Sequence, residues 1–145
     1  RDDFVARRRE AFNACLAHLE NGRYGEVIRA TWREKVGLAS PFVHWAIVDE
    51  ALVELALTCI PAEHLRHCFE RLLEDLKANR AGLPDLIQFL PNAPAGEPRY
   101  RMIEVKGPGD HLQDNQRRWL TFFHRHAMPV AVCYVRWADN GEPGV

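Results

Sequence analysis

Three charged side chains in the second half of the chain have the types and spacing of a phosphate-processing site. Glu104 and Lys106 stand two positions apart in an apolar run of strand length, so their side chains leave the same face of the predicted strand. Asp85 follows Pro84 at the start of the preceding apolar run. Two carboxylates suit Mg²⁺ or Mn²⁺, which share their shell with waters and substrate phosphate. Lys106 could orient the attacking water or neutralise charge on the phosphoryl group.

The same residues also have a plainer interpretation. Asp85 could be a solvated turn residue, and Glu104 and Lys106 an ion pair on an exposed strand face. The Pro-Asp, the Glu-x-Lys and a helix after the Gly-Pro-Gly at residues 107–109 occur in one order within one short span. That arrangement favours the catalytic interpretation.

The first part of the chain, residues 1–80, is predicted to be helical because its apolar residues recur every three to four positions. Four helices are predicted there: about residues 3–19, about residues 24–35, one that begins at Ser40-Pro41 and includes Trp45, and one that follows Pro61. The pair Ser40-Pro41 is typical of a helix start, with serine as the N-cap and proline at the first helical position.

The second part, residues 81–137, is predicted to be the catalytic α/β core. Its strands cover residues 86–90, 99–106 and 128–137. Asp110 is predicted to cap a helix that runs to about His126, with Gln113 completing a capping box. Gln116 lies on the inward stripe of this helix, where its amide either is satisfied in the core or reaches the metal-bound water or the scissile phosphate.

Composition narrows the class of protein. With 145 residues, 47% of them hydrophobic, the sequence predicts one folded domain. No apolar run could span a bilayer, so no membrane partner is expected. The four cysteines lack Cys-x-x-Cys spacing and are predicted to be small buried hydrophobes. The chain has 12 Lys/Arg and 15 Asp/Glu up to Pro98, against 7 and 5 from Arg99 on, so the part that carries Glu104 is the basic part.

The motif from residue 82 to residue 116 resembles a known family. The Gly-Leu-Pro-Asp at residues 82–85, the Glu-Val-Lys-Gly-Pro-Gly-Asp at residues 104–110, and Gln116 and Trp119 resemble the VRR-NUC nuclease domain. More narrowly, they resemble the C-terminal part of the Fanconi-anaemia-associated nuclease family, in a bacterial member. Residues 30–32, 36–41 and 72–79 are similar as well, so the resemblance covers most of the chain.

The resemblance implies an α/β (mixed α+β) fold. Its core would be restriction-endonuclease-like, of the PD-(D/E)xK type, with a small mixed sheet flanked by helices and preceded by a helical N-terminal half. Members of the family cut 5′ flaps and act as 5′→3′ exonucleases in DNA interstrand-crosslink repair. A bacterial member is expected in the cytoplasm at the nucleoid, and a eukaryotic one in the nucleus.

Site residues follow from the resemblance position by position. Asp85 and Glu104 would bind Mg²⁺ or Mn²⁺, and the Val105 main-chain carbonyl would add a ligand. Lys106 would be the catalytic lysine, and Gln116 would complete the catalytic set. The expected partner is flap, branched or crosslinked DNA. The candidate DNA contacts are Lys77, Arg80 and Arg117.

The sequence departs from the family pattern at one place. The family has a further metal-binding glutamate, followed by glycine, on a helix before the Pro-Asp, and this sequence contains no Glu-Gly. The chain is therefore expected to be part of a longer protein whose upstream domains supply that residue; Glu50 and Glu54 are the alternatives inside the chain. Two other functions stay open: a Holliday-junction resolvase or restriction-type endonuclease with the same core, and a non-catalytic DNA-binding module.

Overall fold

The fold is known from a computed structural model, which describes residues 6–39 and 44–138. Helices come first along the chain, and a three-stranded sheet with one long crossover helix follows. The elements in chain order are α1 (Arg9–Glu20), α2 (Tyr24–Lys35), α3 (Glu50–Cys59), α4 (Ala62–Glu74), α5 (Leu76–Asn79), β1 (Leu86–Phe89), β2 (Tyr100–Lys106), α6 (Asp114–Arg125) and β3 (Val130–Tyr134).

The helical part follows the predicted pattern with one correction. Helices α2 and α4 lie where the apolar spacing places them. Residues 40–43 and 3–5, and with them the Ser40-Pro41 helix start, lie outside the described residues. The prediction that Trp45 belongs to a helix is wrong, because α3 begins only at Glu50. Asp49 is its N-cap, and the Asp49 carboxylate accepts a hydrogen bond from Leu52 N at 2.8 Å.

The sheet has the order β1-β2-β3, with β2 in the centre. Strands β1 and β2 pair antiparallel, with Leu86 opposite Ile103. Strands β2 and β3 pair parallel, with Lys106 opposite Tyr134, and α6 forms the crossover between them. A parallel pair needs such a crossover, since a tight turn cannot return the chain to the same end of the sheet. The predicted fold class, a small mixed sheet flanked by helices, is confirmed.

The core lies between α6 and the sheet. Trp119, Phe123 and Met128 are almost fully buried, and partly buried side chains of α4 and β2 pack against them. The Trp119 indole N–H donates to the carbonyl of Asn79 at 3.0 Å, which joins α6 to α5. A buried indole needs such an acceptor, because an unpaired N–H is costly away from water. The core therefore fixes α6 relative to both the sheet and the helical part.

At the opposite end of β2 from Lys106, Tyr100 is buried and its hydroxyl lies 2.6 Å from His64 Nδ1. Burial lowers the pKa of His64 and raises the pKa of Tyr100. Both groups are therefore held neutral, and the phenol can donate to an unprotonated imidazole nitrogen.

The cysteine prediction is only partly right. Cys59 is buried and Cys68 is half-buried, where desolvation raises the pKa of the Cys68 thiol to about 11. Cys15 and Cys133 are exposed. Cys133 lies on β3, an edge strand of the sheet. Over the residues that the structure describes, no helix has the length and apolarity needed to cross a membrane.

Candidate active site

Asp85 is held against the end of the central strand. It precedes β1 by one residue, and the antiparallel register therefore brings it opposite Glu104. Its Oδ2 atom accepts a hydrogen bond from the Val105 backbone N–H at 2.9 Å. The carboxylate is thus oriented by the backbone of β2 rather than left to rotate in solvent, although the residue remains exposed. The register therefore places the two candidate metal-binding carboxylates on neighbouring chain segments.

Glu104 and Lys106 are buried on one face of β2, and the half-buried Gln116 of α6 joins them in a cluster. Glu104 is 1% exposed and Lys106 is 7% exposed. Lys106 Nζ lies 3.2 Å from Glu104 Oε1 and donates to Gln116 Oε1 at 2.8 Å. Gln116 Nε2 donates to the same Glu104 oxygen at 2.7 Å. An exposed ion pair on a solvated strand face, the plainer interpretation of these residues, does not describe this arrangement. Charges buried this deeply are tolerated only when paired and hydrogen-bonded.

Gln116 reaches the cluster because of where α6 begins. The prediction that Asp110 caps this helix is wrong: Gln113 is the N-cap, and Gln113 and Gln116 form the capping box. The Gln113 backbone N–H donates to Gln116 Oε1 at 2.9 Å, so this oxygen serves both the helix start and Lys106. Asp110 instead accepts a hydrogen bond from Gly107 N at 2.9 Å and closes the turn after β2.

Gly82 lets the segment that carries Asp85 approach the start of α6. Its φ angle is +95°, a conformation that L-residues other than glycine rarely adopt. A Cβ atom at this position would lie 2.6 Å from the backbone carbon of Asn115 and 2.7 Å from its oxygen. The close contact joins the segment that carries Asp85 to the helix turn that carries Gln116.

The donor set fits a hard divalent cation. Glu104 Oε2 and Asp85 Oδ1 make no hydrogen bond with any described residue, so each carboxylate keeps one oxygen available. Carboxylate oxygens are the ligands that Mg²⁺ and Mn²⁺ prefer, and Mg²⁺ needs only one or two of them beside water and phosphate. Within residues 6–39 and 44–138, no group of three or more His, Cys, Asp or Glu lies close enough to hold a metal ion.

The two alternative glutamates in the helical part do not complete the site. Glu54 is engaged by Arg29, whose Nη2 donates to Glu54 Oε2 at 3.0 Å. That hydrogen bond lowers the pKa of the Glu54 carboxyl and keeps it ionised in its own ion pair. Glu50 is the first residue of α3 and is exposed. Neither joins Asp85 and Glu104 in a three-carboxylate group.

The candidate DNA contacts lie on the surface of neighbouring helices. Lys77 is exposed on α5, Arg80 caps the end of α5, and Arg117 is exposed on α6. The side chains are therefore free to meet a ligand, and their contact with DNA stays a prediction. Gly82 and Gln113 are the site-building residues whose roles the sequence did not indicate. The glycine three residues before Asp85 and the spacing Gln113-x-x-Gln116 were the available signals.

Comparison with known proteins shows which family the chain resembles in sequence. The VRR-NUC domain family matches residues 19–137. The chain is 62% identical over 135 residues to the Fanconi-associated nuclease 1 homolog of Pseudomonas aeruginosa, covering 93% of this chain and 23% of that protein. It is 39% identical over 135 residues to the homolog of Caenorhabditis elegans, covering 90% of this chain and 15% of that protein.

A solved structure gives the same result. The crystal structure of paFAN1 bound to DNA with a 2-nt 5′ flap and a gap superposes with a TM-score of 0.84 at 60% identity, covering 96% of this chain and 25% of that one. The chain thus spans about a quarter or less of the length of these relatives. The predicted resemblance is confirmed, and the chain belongs to the VRR-NUC domain family.

Proposed function

We propose that this chain forms the catalytic centre of a structure-specific DNA nuclease. The proposed reaction is hydrolysis of phosphodiester bonds at 5′ flaps, as an endonuclease and as a 5′→3′ exonuclease, in interstrand-crosslink repair. In a bacterial cell it would act at the nucleoid. The observation that carries the proposal is the buried Glu104–Lys106–Gln116 cluster beside the backbone-held Asp85. The relatives named Fanconi-associated nuclease 1, and the paFAN1 structures with 5′-flap DNA, support it.

Lys106 is placed to stabilise charge on a phosphate. An ammonium group has three N–H donors. One donates to Gln116, and a second faces Glu104 in the ion pair. The third has no acceptor among the described residues. Because Lys106 is 7% exposed, its charge is poorly screened by water, and a donor fixed in such a place stabilises a developing negative charge effectively.

Asp85 and Glu104 would hold Mg²⁺ or Mn²⁺ with one free oxygen each, and the Val105 main-chain carbonyl would add a ligand. Bound there, a divalent cation would supply Lewis-acid stabilisation of the phosphate. Two carboxylates are few charged ligands for a metal ion. The proposal therefore includes a further metal-binding glutamate from the rest of a longer protein. That remainder would also hold the DNA, since the basic excess of this chain is small.

Gln116 acts on Glu104 and Lys106 and not on the DNA in this proposal. Its amide nitrogen donates to Glu104 and its oxygen accepts from Lys106. The amide therefore fixes the positions of both charged groups. It also keeps the Lys106 ammonium from pairing with Glu104 alone. Such positioning keeps the catalytic groups in the geometry that the reaction needs.

The test uses the full-length protein and a labelled 5′-flap DNA with Mg²⁺ or Mn²⁺. Asp85→Asn and Glu104→Gln preserve size and remove the negative charge, so both should abolish cleavage. Thermal unfolding of Asp85→Asn should stay close to that of the wild type, because Asp85 is exposed. Glu104→Gln leaves the buried Lys106 without its ion-pair partner, so it should unfold at a lower temperature, and cleavage is compared at a temperature where it is folded. Glu97→Gln is the matched control, because Glu97 is an exposed loop glutamate. Near-normal turnover by Asp85→Asn or Glu104→Gln would contradict the assignment.

A further inference from the structure

Strand β3 places an exposed aromatic residue directly beside the catalytic strand. Tyr134 pairs in register with Lys106, and the next residue, Val135, donates its backbone N–H to the Lys106 carbonyl at 2.7 Å. Register partners on neighbouring strands project from the same face of a sheet. The Tyr134 side chain therefore leaves the sheet on the face that carries Glu104 and Lys106. Tyr134 is 62% exposed, whereas Lys106 is 7% exposed. The tyrosine is therefore a solvent-exposed residue at the margin of the buried Glu104–Lys106 pair.

Exposed aromatic and basic side chains follow Tyr134 in the chain and occur at the start of α6. Trp137 follows three residues later and is 81% exposed. Arg136 is exposed between them, and Arg117 and Arg118 are exposed near the start of α6, the end of the helix that contacts Lys106 through Gln116. None of the three arginines forms an ion pair with a described residue. A single exposed tyrosine needs no explanation, but an exposed ring in register with Lys106, in a part of the chain with exposed arginines that have no ion-pair partner among the described residues, does.

The chemistry of this margin fits single-stranded nucleic acid. Arginines contact phosphates regardless of sequence, and aromatic side chains stack on bases whose faces are free. A base inside a duplex is already stacked on both sides, so it offers no face to a protein ring. An unpaired base next to the scissile phosphate does offer one. The relative paFAN1 has been crystallised with DNA that carries such unpaired 5′-flap nucleotides.

We propose that Tyr134 stacks on an unpaired base of the strand that runs into the active site. This inference rests on the proposed nuclease function and deepens it, because it names the part of the substrate that the site reads. The stacked base holds the adjoining phosphate over Glu104 and Lys106. Tyr134 is then a positioning residue that favours DNA with a single-stranded flap over continuous duplex, without preference for a particular base.

The test measures affinity in EDTA, so that no DNA is cut, by fluorescence anisotropy with the full-length protein. Two substrates are compared: a 5′-flap DNA with ordinary bases, and the same DNA with abasic sites in the flap. Loss of one stacked base should weaken binding about 5- to 150-fold. Wild type should therefore bind the abasic flap more weakly by a factor in that range. Tyr134→Ala should bind both substrates equally, and Tyr134→Phe should discriminate as wild type does.

Ile47→Ala is the matched control, because Ile47 is 73% exposed and lies in the helical part of the chain. It should discriminate between the two substrates as wild type does. Discrimination by Tyr134→Ala equal to that of wild type would overturn the stacking proposal and leave the nuclease proposal standing. A parallel incubation with Mn²⁺ tests the nuclease proposal separately from the stacking proposal. If the wild-type protein leaves the flap DNA uncut, the proposed nuclease function is contradicted. The affinities measured in EDTA still decide whether Tyr134 stacks on a base.

Discussion

Replacing Gly82 by alanine tests how the Asp85 segment and the start of α6, the two halves of the candidate active site, are held together. The new methyl group would meet the Asn115 backbone at 2.6–2.7 Å, and backbone atoms of a capped helix turn cannot rotate away. The φ angle of +95° adds strain of about 1–2 kcal/mol for an L-residue. Overpacking of a filled contact adds about 1–3 kcal/mol. We therefore expect Gly82→Ala to lower the free energy of unfolding by about 2–5 kcal/mol.

Gly96→Ala separates these two contributions. Gly96 has a φ angle of +87°, but a Cβ atom there would meet nothing within 4 Å. This variant should lose only the strain of about 1–2 kcal/mol. Urea unfolding followed by circular dichroism measures both variants, and single-turnover cleavage shows whether Gly82→Ala also slows the reaction. Equal destabilisation by the two variants, with cleavage intact, would refute the idea that contact between Gly82 and α6 builds the site.

Two further predictions concern buried polar groups. Gln116→Leu leaves Glu104 and Lys106 without their shared partner, so it should lower the free energy of unfolding by about 1–3 kcal/mol and slow cleavage. Gln88→Leu, on the exposed strand β1, should have neither effect. Urea midpoints and cleavage rates measure both variants, and equal behaviour of the two would count against the role of Gln116. Burial lowers the pKa of His64 in the folded state, so the unfolded chain binds the proton more readily and stability falls as the pH drops below about 6.5. His64→Phe should lose less stability than wild type between pH 7.5 and pH 5.5, and an equal loss would contradict this.

The parts of the fold that were predictable are those with a local cause. Alternation along a strand puts Glu104 and Lys106 on one face, and their ion pair in the structure confirms it. The period of apolar residues marks α2 and α4 equally well. The burial of the charged pair was not predictable, because it depends on Gln116 arriving from a helix ten residues further along the chain. Periodicity reports which face a side chain is on and not what covers that face.

Helix α6 shows why capping patterns are ambiguous. Asp110 and Gln113 are both followed by a capping-box partner three residues later, and aspartate is the better N-cap by propensity. Two contacts outside the helix backbone decide between them. The Asp110 carboxylate is taken by the Gly107 backbone, and Gln116 is anchored to Lys106 and Glu104. The helix therefore begins where Gln116 can bond both Glu104 and Lys106, against the local preference.

The central claim is that Lys106 acts in the chemical step. In the full-length protein, Lys106→Met keeps the apolar stem and removes the ammonium group. Single-turnover cleavage of 5′-flap DNA at saturating protein should slow by about 10²- to 10³-fold, with little change in DNA affinity measured without metal. Lys77→Ala, at an exposed lysine, should leave the saturated rate unchanged. An unchanged saturated rate for Lys106→Met, with only weaker DNA binding, would contradict the claim and make Lys106 a phosphate anchor.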